Sequence, residues 1–375
     1  MTVHIKHAEV IILDVPTIRP HVLSMATMRS QTIVLLRLRG ADGIEGIGEG
    51  TTIGGLSYGP ESPESIKGAL ETYILPLLEN HDISQIGKVM EHVEHHVSGN
   101  HIAKCALETA LFDAAGKRLG VPVSDLIGGG RVRDTLPVAW TLASGDTSRD
   151  IAEAEAMLEA KRHRIFKLKI GKRSVRDDVR HVATIKKALG DSASVRVDVN
   201  QAWNEASADL GMALLADAGI DLVEQPVPRH ALPAMMRLTA RHTIPLMADE
   251  ALNGPVSAFA VASTAGARVF ALKIAQSGGL QAARDVAGIA IAAGIGLYGG
   301  TMLEAGVGTA ASAHVFATLQ SLEWGTELFG PLLLTEEILE NPLQYSEFCL
   351  SVPTGPGLGV SLDERAIARF RRNNQ

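Results

Sequence analysis

Five ionisable residues recur at nearly even intervals in the second half of the chain. They are Lys169, Asp198, Glu224, Asp249 and Lys273, and successive members lie 24 to 29 residues apart. Each lies near the end of a short apolar run, and the interval is the length of one strand plus one helix. The carboxyl ends of parallel barrel strands meet on one face, where barrel enzymes carry their active sites. A single charged strand end is usually solvated, but five in register predict one functional site.

Three of these residues are carboxylates, and they predict a site for a hard divalent cation. The set contains neither Cys nor His, and oxygen ligands favour Mg²⁺ or Mn²⁺ over zinc and copper. Lys167 lies two residues before Lys169, so both side chains share one face of a strand. Lys273 lies four strand-plus-helix units further along the chain. A lysine beside a second lysine, a cation and apolar walls is expected to have its pKa lowered from about 10.4 toward neutrality. Such an amine can both donate and accept a proton.

Short apolar runs alternate with amphipathic stretches through the second part of the chain. This pattern is typical of parallel strands joined by crossover helices, and eight such units predict an α/β fold of the (β/α)₈ barrel type. A doubly wound open sheet is the alternative, but no glycine-rich dinucleotide fingerprint follows a first strand. The predicted strands are residues 136–142, 165–170, 195–200, 220–226, 244–250, 269–274, 295–299 and about 322–326, and an irregular segment is the alternative for the last, compressed unit.

The first part of the chain lacks this alternation and predicts a separate α+β domain. Its strands are expected at residues 3–15, 31–39 and 45–51, and its amphipathic helices at 65–79 and 103–119. Three consecutive glycines at 128–130 mark the boundary. The predicted domains are an N-terminal capping domain at 1–130, a catalytic barrel at 131–345, and a C-terminal segment at 346–375 that packs back on the capping domain.

Composition excludes several classes of protein. The chain of 375 residues is 46% hydrophobic and 21% charged, which predicts a folded protein with a large core. A net charge of −7 without a basic stripe makes nucleic acid and anionic membranes poor partners. No apolar run approaches the roughly 20 residues of a membrane span, and the first 15 residues do not resemble a secretory signal. Cys105 and Cys349 are expected to be reduced, as in a cytoplasmic protein.

The chain resembles the muconate-lactonising subgroup of the enolase superfamily over essentially its whole length. The K-x-K pair at 167 and 169, followed by the three carboxylates and Lys273, is the layout of that subgroup. Further similar segments are PTIRPH (16–21), TTIGG (51–55), FKLKIG (166–171), SVRVDVN (194–200) and WGTELFGPLLLTEE (324–337). The resemblance implies an enolase-like barrel with a capping domain, Mn²⁺ or Mg²⁺ as cofactor, and a homo-oligomer that is commonly an octamer. It implies a small dicarboxylate substrate, cis,cis-muconate, which is closed reversibly to a lactone in catechol catabolism.

The resemblance also implies a role for each site residue. By position, the metal ligands are Asp198, Glu224 and Asp249. The catalytic residues are Lys169 as acid and base, Lys273 opposite it, Lys167 in support of the intermediate, and Glu327 as an acidic group in proton transfer. The implied substrate-binding residues are Arg19, His21, Ile53, Tyr58 and Phe329. The glycine-rich loop 53–59 is expected to act as a lid.

The barrel residues alone leave neighbouring activities open. Chloromuconate cycloisomerases, o-succinylbenzoate synthases and racemases or epimerases of acylated amino acids or dipeptides share the metal and lysine set. A non-catalytic oligomeric protein that kept the fold is a second alternative, although its lysines would have had no reason to persist. The segments at 16–21 and 324–337 favour muconate as the substrate.

Overall fold

Long antiparallel strands form the first part of the fold. The computed structural model describes residues 2–22 and 27–372, and its first sheet has the strand order β1-β2-β3. The helix His101–Leu119 packs against the third strand so closely that a Cβ on Gly48 would lie 1.9 Å from the Ala106 carbonyl oxygen. Gly46 meets the Ala110 carbonyl at the same distance. The strands are β1 (Ile5–Val22), β2 (Thr27–Gly40) and β3 (Glu45–Thr51).

Helices cover this sheet at the predicted places. The predicted helix at 65–79 is a continuous helical stretch that includes a π-helical turn, Ala69–Ile74. Ser62 caps its start, because the Ser62 side chain accepts a hydrogen bond from the Ser65 N–H. The helices are α1 (Pro63–Gly68), α2 (Leu75–Leu77), α3 (Ile86–His96), α4 (His101–Leu119) and α5 (Val123–Gly128).

Seven parallel strands form the barrel wall in sequence order, β5 to β11. Helices separate successive strands, which confirms the predicted (β/α)₈-type fold with an N-terminal α+β capping domain. The strands are β5 (Trp140–Leu142), β6 (Ile165–Lys169), β7 (Ser194–Asp198), β8 (Leu222–Glu224), β9 (Leu246–Ala248), β10 (Val269–Leu272) and β11 (Gly296–Gly299). The helices are α6 (Thr147–Glu159), α7 (Val175–Leu189), α8 (Glu205–Asp217), α9 (Leu232–Arg241), α10 (Pro255–Ser263), α11 (Ile274–Ser277), α12 (Leu280–Ala292), α13 (Gly306–Ala317) and α14 (Gly330–Leu333).

The barrel closes through a single residue where an eighth strand was predicted. Thr326 forms parallel bridges to both Val138 and Gly299, so the segment around it joins the first and last strands of the wall. Gly325 has a φ of 71°, which interrupts the extended backbone that a strand requires. Residues 322–326 therefore form no full strand, and the irregular alternative for the eighth unit is the one observed.

The predicted strand at 136–142 is divided between two sheets. Its first half is β4 (Thr135–Pro137), which pairs with β13, and its second half is the barrel strand β5. Pro137 has no N–H to continue a ladder, and its carbonyl accepts a hydrogen bond from the Thr326 N–H instead. The remaining C-terminal elements are β12 (Tyr345–Ser346), β13 (Cys349–Ser351) and α15 (Glu364–Phe370).

The end of the described chain lies against the first strand. Arg371 forms an antiparallel bridge with Leu13, and Arg372 makes an ion pair with Asp14 at 2.6 Å. The domain limits at 130 and 345 remain predictions. Both cysteines are free thiols. Among the described residues, no helix is both long enough and apolar enough to cross a bilayer.

Two buried glutamates of the capping domain dock onto helix starts of the barrel. Glu108 on α4 accepts hydrogen bonds from the Leu280 and Gln281 N–H groups at the start of α12. Glu49 on β3 accepts from the N–H groups of Ala305 and Gly308 at the start of α13, both at 2.7 Å. Unpaired N–H groups at a helix start favour an acceptor, so these carboxylates hold the two parts together.

We expect Glu108 to make stability depend on pH. Burial raises its pKa from 4.5 to about 7, although the two N–H groups favour the ionised form. The contribution of this group to stability is therefore complete below pH 4.5 and is lost as the pH rises through 7. Relative to E108Q, the free energy of unfolding of the wild type should fall by about 3 kcal/mol over this range, measured by urea denaturation.

Exposed Glu155 provides the matched control. The E155Q variant should show the same pH dependence as the wild type. Parallel pH profiles for the wild type and E108Q would contradict this account of the docking carboxylate.

Candidate active site

Five strand ends bring the predicted charged residues together. Strands β6, β7 and β8 end at Lys169, Asp198 and Glu224, and the register places these three residues side by side. Asp249 and Lys273 follow directly after β9 and β10. Lys169, Asp198, Asp249 and Lys273 line a cavity at the carboxyl end of the barrel, and Glu224 lies beside Asp198 and Asp249. The cavity is lined by His21, Ile53, Tyr58, Thr141, Lys167, Lys169, Asp198, Asn200, Asp249, Lys273, Thr301, Leu303 and Glu327.

The three carboxylates form a compact group of oxygen donors. Asp198, Glu224 and Asp249 each offer an oxygen within 4.8 Å of the others, and none is more than 1% exposed. Burial raises the pKa of Glu224 well above 4.5, and the neighbouring Asp198 charge adds to this effect. A divalent cation would relieve this repulsion, and three hard oxygen donors suit such an ion. The donor set therefore fits a divalent metal ion.

Lys167 lies at the centre of the acidic group. Its ammonium donates a hydrogen bond to Glu224 at 2.9 Å, makes a closer contact with Glu327, and lies 3.7 Å from Asp198. It is 2% exposed. Lys167 can therefore place positive charge beside the carboxylates without contact with bulk water.

Lys169 is the next residue along the same face of strand β6. Its ammonium donates to Asp198 at 2.5 Å and to the Asn200 side-chain oxygen at 3.2 Å. The side chain is 12% exposed and lines the cavity. The i, i+2 spacing thus places one lysine under the carboxylates and the other at the cavity surface.

Lys273 approaches from four strands away, across the barrel from Lys169. Its ammonium lies 2.7 Å from Asp249 Oδ1 and donates to the Tyr58 hydroxyl, also at 2.7 Å. Tyr58 in turn donates to Asp249 Oδ2 at 2.9 Å. The capping domain thereby contacts both a predicted metal ligand and a predicted catalytic lysine through one hydroxyl.

The carboxylates around Lys167 and Lys273 raise the pKa of both lysines, and the lowered pKa expected for a lysine beside a bound cation stays a prediction. Burial alone would lower the pKa of each, but the carboxylates around them outweigh burial. Glu224 and Glu327 raise the pKa of Lys167, and Asp249 and Glu224 raise that of Lys273. The nearest charges to these ammonium groups are negative, which spacing along the chain did not show.

Glu327 follows the bridging residue that closes the barrel. It is 4% exposed, and its N–H donates to the Gly299 carbonyl. Its carboxylate accepts a weak hydrogen bond from the Thr141 hydroxyl at 3.4 Å and faces Lys167. The barrel closure therefore carries this carboxylate into the same cavity.

The predicted substrate-binding residues divide into two groups. His21, Ile53 and Tyr58 line the cavity, whereas Arg19 and Phe329 do not belong to its wall in the described part of the chain. Burial and the nearby charges of Lys169, Arg19 and Lys167 lower the pKa of His21 to about 3. The imidazole is consequently neutral at any physiological pH.

Arg19 and Phe329 instead pack around Trp140. Arg19 donates to Glu153 and to the Thr141 carbonyl, each at 3.0 Å, and the Trp140 indole donates to the same glutamate at 2.7 Å. The Phe329 ring is fully buried, 5.2 Å from the Trp140 ring. Both residues support strand β5 from behind the cavity wall.

Asn200 and Gln225 are among the polar residues at the site that the sequence did not identify. Asn200 links Lys169 to Glu250, to which it donates at 3.2 Å, and it lies in the turn after β7 with a φ of 44°. Gln225 accepts hydrogen bonds from the N–H groups of Asp249 and Ala251. Its φ of 32° is a positive backbone angle at the end of β8, and no feature of the sequence predicts this conformation.

We expect Gly300 to be required for the position of Lys273. A Cβ at residue 300 would lie 2.8 Å from Lys273 Cγ and 2.9 Å from Cε, so the lysine must move in the G300A variant. A displacement of about 1 Å at a reacting group can lower turnover by on the order of 100-fold. Steady-state kinetics should therefore show a large loss of kcat in G300A without loss of folding.

Gly288 on α12 provides the control, since an added Cβ there meets no atom within 4 Å. The G288A variant should retain wild-type kcat. Full activity in G300A would show that Lys273 is free to move without consequence.

The fold and the five strand-end charges define an enzyme of the enolase superfamily. Residues 7–128 match the family described as mandelate racemase / muconate lactonizing enzyme, N-terminal domain. Residues 149–366 match the enolase C-terminal domain-like family. These matches cover both the sheet that caps the site and most of the barrel.

Full-length relatives narrow the family further. The chain is 59% identical to muconate cycloisomerase 1-2 of Acinetobacter lwoffii, over 100% of this chain and 97% of that protein. A solved structure of muconate lactonizing enzyme from Pseudomonas fluorescens, complexed with muconolactone, is 59% identical with a TM-score of 0.98, covering 99% and 100% of the two chains. A chloromuconate cycloisomerase of Delftia acidovorans is 45% identical over 96% of this chain and 97% of its own length. The chain belongs to the muconate cycloisomerases, a family of isomerases that act as intramolecular lyases.

Proposed function

We propose that the chain closes cis,cis-muconate to muconolactone reversibly, as a step in catechol breakdown. The observation that carries this proposal is the placement of Lys169 and Lys273 on opposite sides of three clustered carboxylates. Relatives of this identity act as muconate cycloisomerases by name, and one of them holds muconolactone. We further propose Mn²⁺ or Mg²⁺ as the ion, a cytoplasmic location and a homo-oligomer, commonly an octamer in the family.

The carboxylates would hold the ion, and Lys167 would assist it. Asp198, Glu224 and Asp249 are the ligands that we propose. When bound, the divalent ion supplies positive charge to the substrate carboxylate on which negative charge develops. Lys167 adds a second fixed positive charge beside that group in a site nearly closed to water. One preorganised donor of this kind contributes about 3 kcal/mol to stabilisation of the transient state.

Lys169 would transfer the proton. One carboxylate of muconate attacks the conjugated diene and forms the ring C–O bond, and the displaced π electrons move toward the carbon next to the other carboxylate. Lys169 gives its proton to that carbon, and in the reverse direction it removes the proton. Its ammonium is held at the cavity surface by Asp198 and Asn200, in contact distance of a bound molecule. Net closure of the dianion to the lactone monoanion consumes one proton, which Lys169 regains from solvent through the cavity after each turnover and returns to solvent in the reverse direction.

Lys273 would stabilise charge from the opposite face. Its ammonium is buried beside Asp249 and the Tyr58 hydroxyl, a fixed position that suits electrostatic support. We expect K273A to lower kcat by at least about 100-fold, because one fixed positive charge is lost from a water-poor site. Steady-state rates for cis,cis-muconate measure this effect. A kcat within a few-fold of wild type would rule out the electrostatic role.

The capping domain would shape the pocket for the carbon chain of the substrate. Ile53 contributes an aliphatic wall and neutral His21 a polar one, while Tyr58 closes the side near Lys273. We propose an indirect role for Arg19 and Phe329, which hold strand β5 and thereby Thr141 in place. Glu327 remains our candidate for a second proton-transfer group, because it contacts Lys167 inside the cavity.

The proposal is tested by following the ultraviolet absorbance of cis,cis-muconate, since lactone closure removes the conjugated diene. The absorbance should fall with added Mn²⁺ and remain constant in the presence of a chelator. Parallel assays with chlorinated muconates and with N-succinyl amino acids test the neighbouring activities. Turnover of an N-succinyl amino acid without turnover of muconate would refute the proposed function.

A further inference from the structure

The segment between β11 and α13 contains a leucine in an uncommon backbone conformation. Leu303 has a φ of 63°, in the left-handed region that residues with a side chain seldom occupy. It is 5% exposed. Residues held in this region tend to occur at functional sites, where the surrounding structure over-determines them.

Hydrogen bonds within the segment fix this conformation. The Thr301 side-chain oxygen accepts from the Leu303 N–H at 2.8 Å. Glu304 accepts from the Met302 N–H at 2.9 Å and from the Thr301 hydroxyl. The side chains of Thr301 and Glu304 are therefore hydrogen-bonded within the segment itself.

The capping domain holds the same segment from outside. Gln31 on β2 is 2% exposed, and its side-chain amide donates to the carbonyls of Met302 at 3.1 Å and Leu303 at 3.0 Å. Glu49 accepts from the Ala305 N–H at 2.7 Å. Two separate parts of the chain thus fix the leucine backbone.

Leu303 is one of the residues that line the cavity containing the lysines. Within the described part of the chain, Ile53 and Leu303 are the aliphatic members of a wall that is otherwise polar, charged or aromatic. The unsaturated carbon chain of a muconate needs an apolar surface, and a fixed side chain sets a sharper size limit than a mobile one.

We propose that Leu303 is a specificity-determining residue, which the left-handed segment and Gln31 fix at a position that limits the substituents a muconate can carry. This inference rests on the proposed function and extends it. Leu303 contacts the substrate in this account, and Gln31 acts through it as a positioning residue.

Substitutions to Gly and Ala test whether the backbone is constrained. Both remove the leucine side chain, but only Gly adopts a positive φ without steric cost. L303G should therefore unfold at a higher temperature than L303A. At Leu319, which has the same 5% exposure and no positive φ, the order should be reversed, with L319A above L319G. The same order at both positions would overturn the claim that the segment constrains Leu303.

Selectivity tests the functional part of the inference. The measured quantity is the ratio of kcat/KM for a methyl-substituted muconate to that for cis,cis-muconate. L303A should raise this ratio by about tenfold or more, the range associated with one methyl group in an apolar pocket. L319A should leave it unchanged. An equal fall of kcat/KM for both substrates in L303A would show a merely structural role and overturn the proposal.

Gln31 is tested by Q31M, which keeps the length of the side chain and removes its N–H donors. Q31M should raise the ratio in the same direction as L303A, by a smaller factor, with unchanged affinity for Mn²⁺. A wild-type ratio in Q31M would overturn the positioning role. Absence of muconate turnover in the wild type would refute the proposed function instead, while the comparison of Gly and Ala at residue 303 would still decide the backbone claim.

Discussion

The K169M variant is expected to lose on the order of 10⁴-fold in turnover of cis,cis-muconate, near the upper limit for general acid–base catalysis. Methionine has nearly the length of the lysine stem but carries no proton to transfer. Lys169 lies at the cavity surface, and Asp198 and Asn200 hold its ammonium at 2.5 and 3.2 Å.

Exchange of the lactone α-proton with solvent deuterium separates this role from a loss of binding. The wild type should exchange that proton, as followed by NMR on muconolactone, whereas K169M should not exchange it and should still bind Mn²⁺. Lys172, an exposed lysine three residues further along, provides the control, and K172M should exchange at the wild-type rate. Exchange that persists in K169M would refute the assignment of Lys169 as the acid and base.

The E224Q variant is expected to lose metal affinity by at least about 100-fold, and activity with it. Glu224 is the middle member of the carboxylate group, between Asp198 and Asp249 in strand order, and it is 1% exposed. An amide has nearly the same shape as the carboxylate but carries no charge. In the wild type, burial and the charge of Asp198 raise the pKa of Glu224, and a bound cation would offset both effects. In E224Q one of the three negative oxygen donors is lost, so the site attracts a cation less strongly. Isothermal titration with Mn²⁺ measures the loss directly.

Exposed Glu323 serves as the control for this experiment. The E323Q variant should bind Mn²⁺ and turn over muconate as the wild type does. Treatment of the wild type with a chelator should reproduce the effect of E224Q, and added Mn²⁺ should restore only the wild type. Tight binding of Mn²⁺ by E224Q would exclude Glu224 as a ligand.

The placement of the strand-end charges could be predicted because one structural rule governs it. In a parallel barrel, the end of every strand faces the same side, so an interval of 24 to 29 residues becomes proximity in space. The three carboxylates and the two lysines across the barrel follow from that rule. The same rule located the eighth barrel position. The positive φ of Gly325 interrupts the extended backbone there, so Thr326 alone bridges the neighbouring segments.

Contacts between the capping domain and the barrel could not be predicted in this way. Tyr58 reaches Lys273 from 215 residues away, and Gln31 reaches Leu303 from 272 residues away. Such pairs depend on how two domains dock, which leaves no period in the sequence. For the same reason, the position of Arg19 behind the cavity wall is visible only in the structure.

The central claim is that three carboxylates from three strands hold a single ion beneath the lysines. A crystal structure of the chain grown with Mn²⁺, with anomalous scattering measured at the manganese edge, tests it most directly. We predict one anomalous peak per chain, about 2.1 Å from an oxygen of each of Asp198, Glu224 and Asp249. A peak elsewhere, or ions divided among separate carboxylates, would contradict the account.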